Sequence, residues 1–316
     1  MIKLNKIIYY FLQYLILLFI ISGCTQQESL IRINLNEETP NKGIITFPEQ
    51  KANDGNEEVY NFGFDRRLEP KEDVKMYIPF LRYLEKETRI KFHLKVLDKE
   101  ESIVTEMANG NIDLAAMGPL GFIEVSEKIP ATILAKGNNE KDGFYRAAII
   151  VSKNSSIKTI NELKGKSFAF GRETSTQGFL IPKLMLMESG IEMNEFKNFQ
   201  FFSSHIEVSK AVLNGDFDAG GLQDTLAEKL QNQGIVRIIA YSELYPTSGI
   251  VSATSLSNEK QKLIKQALLK FDPVYIHKSG LYNWQNSEMP LGFLDVDLSE
   301  YKKVSEEYEK LVGDPQ

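Results

Sequence analysis

The sequence predicts an α/β protein with two similar lobes, and three observations support this fold class. Strand-like and helix-like segments alternate from Val59 onward, as in sheets with crossover helices. The segment 112–117 is almost continuously apolar, which is typical of a buried parallel strand. The motif at 109–115 has a counterpart at 214–220, and each copy follows an amphipathic helix. Chance similarity is the alternative, but a repeated unit favours two lobes.

The first lobe is predicted from five segments. Apolar periodicity indicates strands at 59–64, 90–97 and 112–117 and helices at 74–88 and 102–109. Tyr77, Leu81 and Leu84 form one stripe of the first helix. Gly110 suits the residue just beyond a helix, where a left-handed backbone costs least without a Cβ atom.

The second lobe is predicted in the same way. Strands are expected at 147–151, 168–170 and 235–240, and helices at 179–187, 206–214 and 225–230. Two further helices, at 258–271 and 298–312, close the chain beyond this lobe. Open α/β sheets bind ligands beyond the carboxyl ends of their strands. We therefore expect the loops after Met117 and Leu222 to face one another across a cleft.

The turn between 171 and 180 places three hydroxyl side chains, those of Thr174, Ser175 and Thr176, at a predicted helix start. The first amide groups of a helix have no partner within it, and the helix dipole adds positive potential there. Such a turn suits phosphate or carboxylate oxygens. The alternative is an ordinary Ser/Thr cap that needs no ligand.

A second polar turn, 203–205, ends in His205 just before the helix at 206–214. Two helix starts bearing Ser, Thr and His suggest a tetrahedral anion bound from two sides. Gly118 and Pro119 are the expected wall of the first lobe, with Pro119 suited to the first position of a helix. Arg66 or Arg67 could add a bidentate contact, or both could be solvated surface charges.

The N-terminus resembles a bacterial lipoprotein signal. Two lysines precede an apolar run from Ile7 to Ile21, and the run leads into Ser-Gly-Cys24. A transmembrane anchor is the alternative, but about 15 apolar residues fall short of the roughly 20 that span a bilayer. We therefore predict a signal peptide at 1–23, then lipidated Cys24 and a flexible tether through residue 58.

Composition excludes several classes of function. The chain has 37 basic and 43 acidic side chains, a net charge of −6 that argues against a nucleic-acid partner. Cys24 is the only cysteine, so the folded part has no disulfide or catalytic cysteine. The three histidines have no metal-ligand spacing, and no nucleotide-binding or hydrolase motif occurs. We expect a monomeric binding protein, not an enzyme, with no cofactor and no metal.

Four segments resemble the PhnD-like family, the phosphate, phosphite and phosphonate substrate-binding proteins of ABC importers. The most specific is 157–170 with its continuation through Ser175-Thr176-Gln177-Gly178 to Pro182; the others are 77–85, 110–119, and 204–205 with 214–220. The resemblance covers roughly residues 60–230 in the expected order.

The resemblance implies a type II periplasmic-binding-protein fold, whose two lobes are joined by two crossings and close on a ligand by a hinge. Lobe 1 would be 59–145 plus 249–316, and lobe 2 would be 146–248. The implied function is a lipoprotein of the cell envelope, in the periplasm or on the outer face of the cytoplasmic membrane, that delivers a small phosphorus oxyanion to a membrane permease. A sensor or surface interaction protein on the same fold is the alternative.

The resemblance also implies ligand positions. Ser175 and Thr176 would bind the anion's oxygens and His205 would donate a further hydrogen bond. Asp224 would accept from a protonated oxygen or an amine, since an unpaired carboxylate repels an oxyanion. Alternatively, Asp224 only caps the helix at 225–230.

The chain departs from the family pattern at three positions. Gln177 stands where the family usually has serine, and it is retained as a candidate ligand residue. Glu100 and Met117 stand near positions where phosphonate binders often carry aromatic side chains. If Glu100 faced the cleft, it would repel a fully ionised phosphonate and favour a cationic group.

Overall fold

The computed structural model describes residues 58–66, 70–98 and 101–313. The predicted signal peptide, the lipidated Cys24 and nearly all of the tether lie outside the described residues, as do Arg67 and Glu100. Within the part that the structure describes, no helix combines the length and the apolar character that a membrane crossing requires.

Eight α-helices lie in the described residues. They are α1 Pro70–Thr88, α2 Ile103–Ala108, α3 Pro119–Lys128, α4 Ile181–Glu188, α5 His205–Leu213, α6 Asp224–Asn232, α7 Asn258–Lys270 and α8 Ser299–Gly313. The predicted stripe of α1 is confirmed, because Tyr77, Leu81 and Leu84 are all buried against the first sheet.

Thirteen strands lie in the same residues. They are β1 Val59–Phe64, β2 Lys91–Leu94, β3 Leu114–Met117, β4 Ala131–Gly137, β5 Phe144–Tyr145, β6 Ala147–Ser152, β7 Ser167–Phe170, β8 Asn198–Phe201, β9 Ala219–Gln223, β10 Val236–Tyr241, β11 Tyr245–Pro246, β12 Gly249–Ala253 and β13 Phe293–Leu294. The predicted α/β class is confirmed.

The two main sheets repeat one arrangement. The first has the order β13-β4-β12-β3-β1-β2 and the second β10-β6-β9-β7-β8. In each sheet three neighbouring strands are parallel, and the central strand of these three, β1 or β7, lies second from one edge of the sheet. An antiparallel strand, β12 or β6, then pairs with the third of these parallel strands, β3 or β9. Gly110 and Gly215 both have positive φ, 74° and 79°, as predicted for the residue after a helix.

The repeated motif also carries one hydrogen bond in each lobe. The Asp113 Oδ2 atom accepts from the backbone N–H of Asn61 at 2.8 Å, and the Asp218 Oδ2 atom accepts from the N–H of Ser167 at 2.8 Å. Asp113 directly precedes β3 and Asp218 directly precedes β9, so each carboxylate connects the start of its strand to the neighbouring parallel strand, β1 or β7. The predicted repeat is a structural unit rather than a chance match.

The two crossings between the sheets pair with each other. β5 lies between β4 and β6 in the chain, and β11 lies between β10 and β12. These two short strands form their own antiparallel sheet, with Tyr145 opposite Tyr245. The strand membership of the sheets supports lobes at 59–145 plus 249–316 and at 146–248, a division that we retain as a proposal.

Helix α8 lies beside the crossings and packs on both α3 and β11. Its Val304 is fully buried in an apolar cluster with residues of the second sheet, including Phe168. The Tyr301 hydroxyl donates to the Thr247 carbonyl oxygen at 3.3 Å, next to the second crossing. The last helix therefore braces the connection between the sheets instead of covering one lobe alone.

Several elements differ from the predicted ones: the strands β4, β5, β8, β11 and β13 were not predicted. Two further differences have a clear physical reason. The helix expected at 179–187 begins earlier, as a π-helical turn over Thr176–Leu180 that continues into α4. Strand β12 was not predicted because three of its five residues, Gly249, Ser252 and Ala253, are small and give little hydrophobic signal. A Cβ atom at Gly249 would lie 2.5 Å from the Ala135 carbonyl oxygen, so close packing requires glycine there.

We predict that Asp218→Asn lowers the free energy of unfolding at pH 7 by about 0.5–1.5 kcal/mol, less than is usual for hydrogen bonds to a charged group, because Asp218 is exposed and solvent screens its charge. Burial raises the pKa of Asp218, but hydrogen bonds from Ser167 outweigh it and leave the pKa below its ordinary value. Because the folded-state pKa is lowered, this stability is present above pH 4 or so and is lost as the pH falls through the folded pKa.

Denaturant unfolding of the wild type and Asp218→Asn between pH 2.5 and 7 measures this difference. The gap between the two proteins should close toward acid pH. A gap that stays constant over the whole range would contradict the role of the ionised carboxylate.

Candidate functional site

A small cavity lies between the two sheets, at the carboxyl ends of their parallel strands. Its lining residues are Asp65, Arg66, Gly118, Tyr145, Gly171, Arg172, Thr174, Ser175, Thr176, Gln177, Ser203, Ser204, His205, Ser248 and Glu288. The volume is about 30 Å³. A single water needs roughly 10–15 Å³ by this measure, so the cavity suits two or three waters or a compact anion.

The predicted hydroxyl turn forms the floor of this cavity in the second lobe. Ser175 is the N-cap of the π-helical turn, and its Oγ atom accepts from the Gly178 N–H at 3.0 Å. The Gly171 N–H in turn donates to the Gly178 carbonyl at 2.7 Å. The plain capping role is thus realised at Ser175, but its hydroxyl proton remains available for an anion in the cavity.

Thr176 makes a contact that crosses from one lobe to the other. Gly118 is the N-cap of α3 and has no side chain with which to cap it. The Leu120 N–H, in the first turn of α3, instead donates to the Thr176 Oγ1 atom at 2.9 Å. A Cβ atom at Gly118 would lie 3.0 Å from the same oxygen. The second lobe therefore caps a helix of the first, and glycine at 118 makes room for this contact.

Two predicted residues do not line the cavity. Pro119 occupies the first turn of α3 as expected, but it is buried behind Gly118. Asp224 is 1% exposed, and its carboxylate accepts from the Lys141 ammonium group and from the Arg146 N–H at 3.1 Å. The Lys141 charge compensates this carboxylate, and Asp224 does not line the cavity.

The capping alternative for Asp224 is met in part: Gln223 holds the N-cap position without a side-chain capping bond, whereas the Asp224 Oδ1 atom accepts from the Thr225 N–H in the first turn of α6 at 2.9 Å. The loop after Leu222 lines no part of the cavity, whereas Gly118, directly after Met117, does. The second lobe contributes instead the loops that follow β7, the neighbour of β9, and β8, which lies on the other side of β7.

The positions where the chain departs from the family pattern have separate roles. Gln177 lines the cavity, and its Nε2 atom donates to the Arg146 carbonyl at 3.1 Å, which fastens the floor to the first crossing. Met117 is fully buried in an apolar cluster of the first sheet and forms no part of the cavity wall. Tyr145, from the first crossing, supplies the aromatic side chain of the wall.

Arg172 also lines the cavity, and the sequence analysis missed it. Its Nε atom donates to the Ser203 carbonyl at 3.2 Å, which connects the loops after β7 and β8. Burial lowers the pKa of Arg172, Asp65 opposes this effect and Arg66 adds to it. A sequence signal did exist: Phe-Gly-Phe-Asp-Arg66 matches Phe-Ala-Phe-Gly-Arg172.

Three further lining residues were not predicted, and they come from separate loops of the first lobe and the crossings. The Asp65 Oδ2 atom accepts from the Gly118 N–H at 3.1 Å. Ser248 follows the second crossing, and Glu288 is only 8% exposed near Trp284. No local pattern distinguishes Ser248 or Glu288, because only the folded chain brings them to the cavity.

Glu124 of α3 lies in a region of concentrated negative charge near the cavity. Burial raises its pKa to about 7, and the charges of Asp65, Glu127 and Glu173 contribute in the same direction. The native state therefore binds this proton more tightly than the unfolded chain does. The associated stability is complete below the unfolded pKa of about 4.5 and is lost as the pH rises to about 7.

We predict that Glu124→Gln, which cannot ionise, melts a few degrees higher than the wild type at pH 8 and at nearly the same temperature at pH 4.5. Calorimetric melting of both proteins across this range measures the difference. If the variant gained nothing between pH 5 and 8, the carboxyl of Glu124 would not be held protonated by its surroundings.

Comparison with known proteins agrees with this geometry. The family described as "ABC transporter, phosphonate, periplasmic substrate-binding protein" matches residues 62–301. A probable ABC transporter phosphite binding protein, PhnD1 of Prochlorococcus marinus, is 29% identical over 174 residues, 52% of each chain. The phosphate-import protein PhnD of Mycolicibacterium smegmatis is 27% identical over 164 residues, 48% of this chain and 51% of its own. Each alignment thus spans about half the length of the curated relative.

Solved structures show the same fold. The structure of Prochlorococcus marinus PhnD1 in complex with methylphosphonate superposes with a TM-score of 0.71 at 23% identity, covering 81% of this chain and 99% of that one. A binding protein component of an ABC phosphonate transporter from Pseudomonas aeruginosa gives 0.69 at 21% identity, covering 80% and 86%. The type II periplasmic-binding-protein fold is therefore confirmed. The chain belongs to the family of phosphonate-type periplasmic substrate-binding proteins of ABC transporters.

Proposed function

We propose that this protein captures a small phosphorus oxyanion, phosphate, phosphite or a small phosphonate, and delivers it to the membrane permease of an ABC importer. The observation that carries the proposal is the cavity itself. It combines two arginines, the hydroxyl turn 174–176 and His205, all between two lobes that are joined by paired crossings. Such donors match the tetrahedral oxygens of a phosphorus oxyanion.

The size and charge of the cavity narrow the ligand class. A volume of about 30 Å³ suits a compact anion better than one with a long substituent. Asp65 and Glu288 add two carboxyl groups to the lining. A carboxylate near an oxyanion is tolerated when the ligand carries a proton that it can share. Protonated phosphorus acids meet this condition at neutral pH, whereas sulfate does not.

The remaining parts of the proposal follow from family membership and the sequence. The family description supports a place in the periplasm or the cell envelope. The lipoprotein signal supports anchoring through Cys24, followed by a flexible tether that lets the binding domain reach a permease. We propose a monomer that binds its ligand without catalysing a reaction on it.

We predict that isothermal titration of the full-length chain in a mild detergent gives measurable heat with at least one of phosphate, phosphite and methylphosphonate. 2-Aminoethylphosphonate should bind at least 10-fold more weakly than the best of these, because its aminoethyl arm exceeds the room in the cavity. Sulfate is the matched control for a fully ionised tetrahedral anion. No heat and no thermal shift with any phosphorus compound would exclude the proposed ligand class.

We further predict that Ser175→Ala combined with Thr176→Ala weakens binding of the best ligand at least 100-fold, because two hydroxyl donors are lost. The melting temperature of the empty protein should fall by only a few degrees, the cost of lost capping. Ser257→Ala is the control: Ser257 caps α7 outside the cavity, through the Lys260 N–H. Ser257→Ala should leave the affinity unchanged. An unchanged affinity in the double variant would mean that the hydroxyl groups of Ser175 and Thr176 act only as helix caps.

A further inference from the structure

Arg66 and Arg172 occupy equivalent places in the two lobes. Each is the second residue after a central parallel strand, β1 or β7, and each strand ends in a Phe-x-Phe sequence. The two strands hold the same position in the order of their sheets. The internal repeat therefore delivers one guanidinium group from each lobe to the same cavity.

Both guanidinium groups retain hydrogen-bonding capacity that the protein does not use. The Arg66 Nε atom and the Arg172 Nη2 atom are buried, and neither has a hydrogen-bond partner among the described residues. Leaving a buried charged donor without an acceptor costs free energy. Arg237 differs, because its Nη2 atom donates to the carbonyl oxygens of Ser155 and Ile157 at 2.8 and 2.7 Å.

The carboxylates near Arg66 and Arg172 accept hydrogen bonds from other groups. The Asp65 carboxylate accepts from the Gly118 N–H, and the Glu207 carboxylate accepts from the N–H and the hydroxyl of Ser203 at 3.0 and 2.7 Å. Burial and the neighbouring charge of Arg66 lower the pKa of Arg172, against the opposing effects of Asp65 and Glu207. Two like charges in a shared, partly dehydrated cavity are unfavourable to each other until an anion lies between them.

We propose that Arg66 and Arg172 bind one oxyanion from opposite lobes, so that the ligand itself neutralises the pair and bridges the lobes. The inference rests on the proposed function and deepens it. It assigns Arg172 as a ligand-binding residue, and it names the ligand class as oxyanions that present at least two negatively charged or shared oxygens in different directions. A ligand with one anionic oxygen would satisfy only one of the two groups.

The test uses Arg172→Met and Arg66→Met in the full-length chain in a mild detergent, with Arg237→Met as the matched control. Titration uses whichever of phosphate, phosphite, methylphosphonate and sulfate binds the wild type most tightly. Each cavity variant should lose at least 30-fold in affinity, while its empty form melts within a few degrees of the wild type. Arg237→Met should show the opposite pattern, with a lower melting temperature and unchanged affinity. Arg172→Lys, which keeps the charge without the planar fork, should recover only part of the affinity.

The outcomes separate the two proposals. If the wild type binds sulfate but no phosphorus compound, the proposed function fails, and the same variants still test the arginine pair with sulfate. If a phosphorus compound binds the wild type and either methionine variant equally well, the arginine pair fails while the proposed function stands. A melting temperature that falls in Arg172→Met as far as in Arg237→Met, with affinity retained, would make Arg172 structural. Absence of binding by every anion would overturn both.

Discussion

The hydrogen bond from the Leu120 N–H to the Thr176 Oγ1 atom is the contact on which the site depends. It joins the start of α3 in the first lobe to the hydroxyl turn of the second, and glycine at 118 leaves room for it, since a Cβ atom there would lie 3.0 Å from the Thr176 Oγ1 atom. This hydrogen bond satisfies an amide group of α3 that has no partner within the helix, and it thereby stabilises the contact between the lobes. The cavity lies at this meeting point, so Gly118, the hydroxyl residues 175–176 and the two arginines line one small volume.

The internal repeat explains why the cavity contains these groups. Each lobe has a strand between two parallel neighbours and a polar loop at that strand's carboxyl end, and Asp113 and Asp218 connect the parallel strands in the same way. The loops after β1 and β7 are equivalent in the two lobes, and each contributes one arginine to the cavity. The lobes then diverge: the second offers hydroxyl groups and His205, whereas the first offers the carboxyl groups of Asp65 and Glu288. The site is therefore rich in hydrogen-bond donors, and its two carboxyl groups favour a ligand that still carries a proton.

Local chemistry made part of this site predictable. Ser175, Thr176 and His205 stand at helix starts, a position that short sequence patterns indicate well, and Gly118 follows an unmistakable buried strand. Arg172 could also have been predicted, from the repeated Phe-x-Phe-x-Arg pattern. The position of Asp224 outside the cavity could not be predicted, because the sequence does not show which group a carboxylate pairs with. Its partner Lys141 lies 83 residues away in the chain, and only the folded structure brings the two together. Gln177 likewise reveals its role only through the Arg146 carbonyl of the crossing.

The sequence by itself determined the α/β class, the repeated lobe unit and the hydroxyl turns, because periodicity, glycine positions and caps are properties of neighbouring residues. The tertiary structure decided which loops face each other, the pairing of the two crossings through Tyr145 and Tyr245, and the neutralisation of Asp224 outside the cavity. It also decided that Thr176 caps a helix of the other lobe. Each of these depends on residues far apart in the chain, whose approach is fixed by the packing of whole sheets and helices rather than by any local preference.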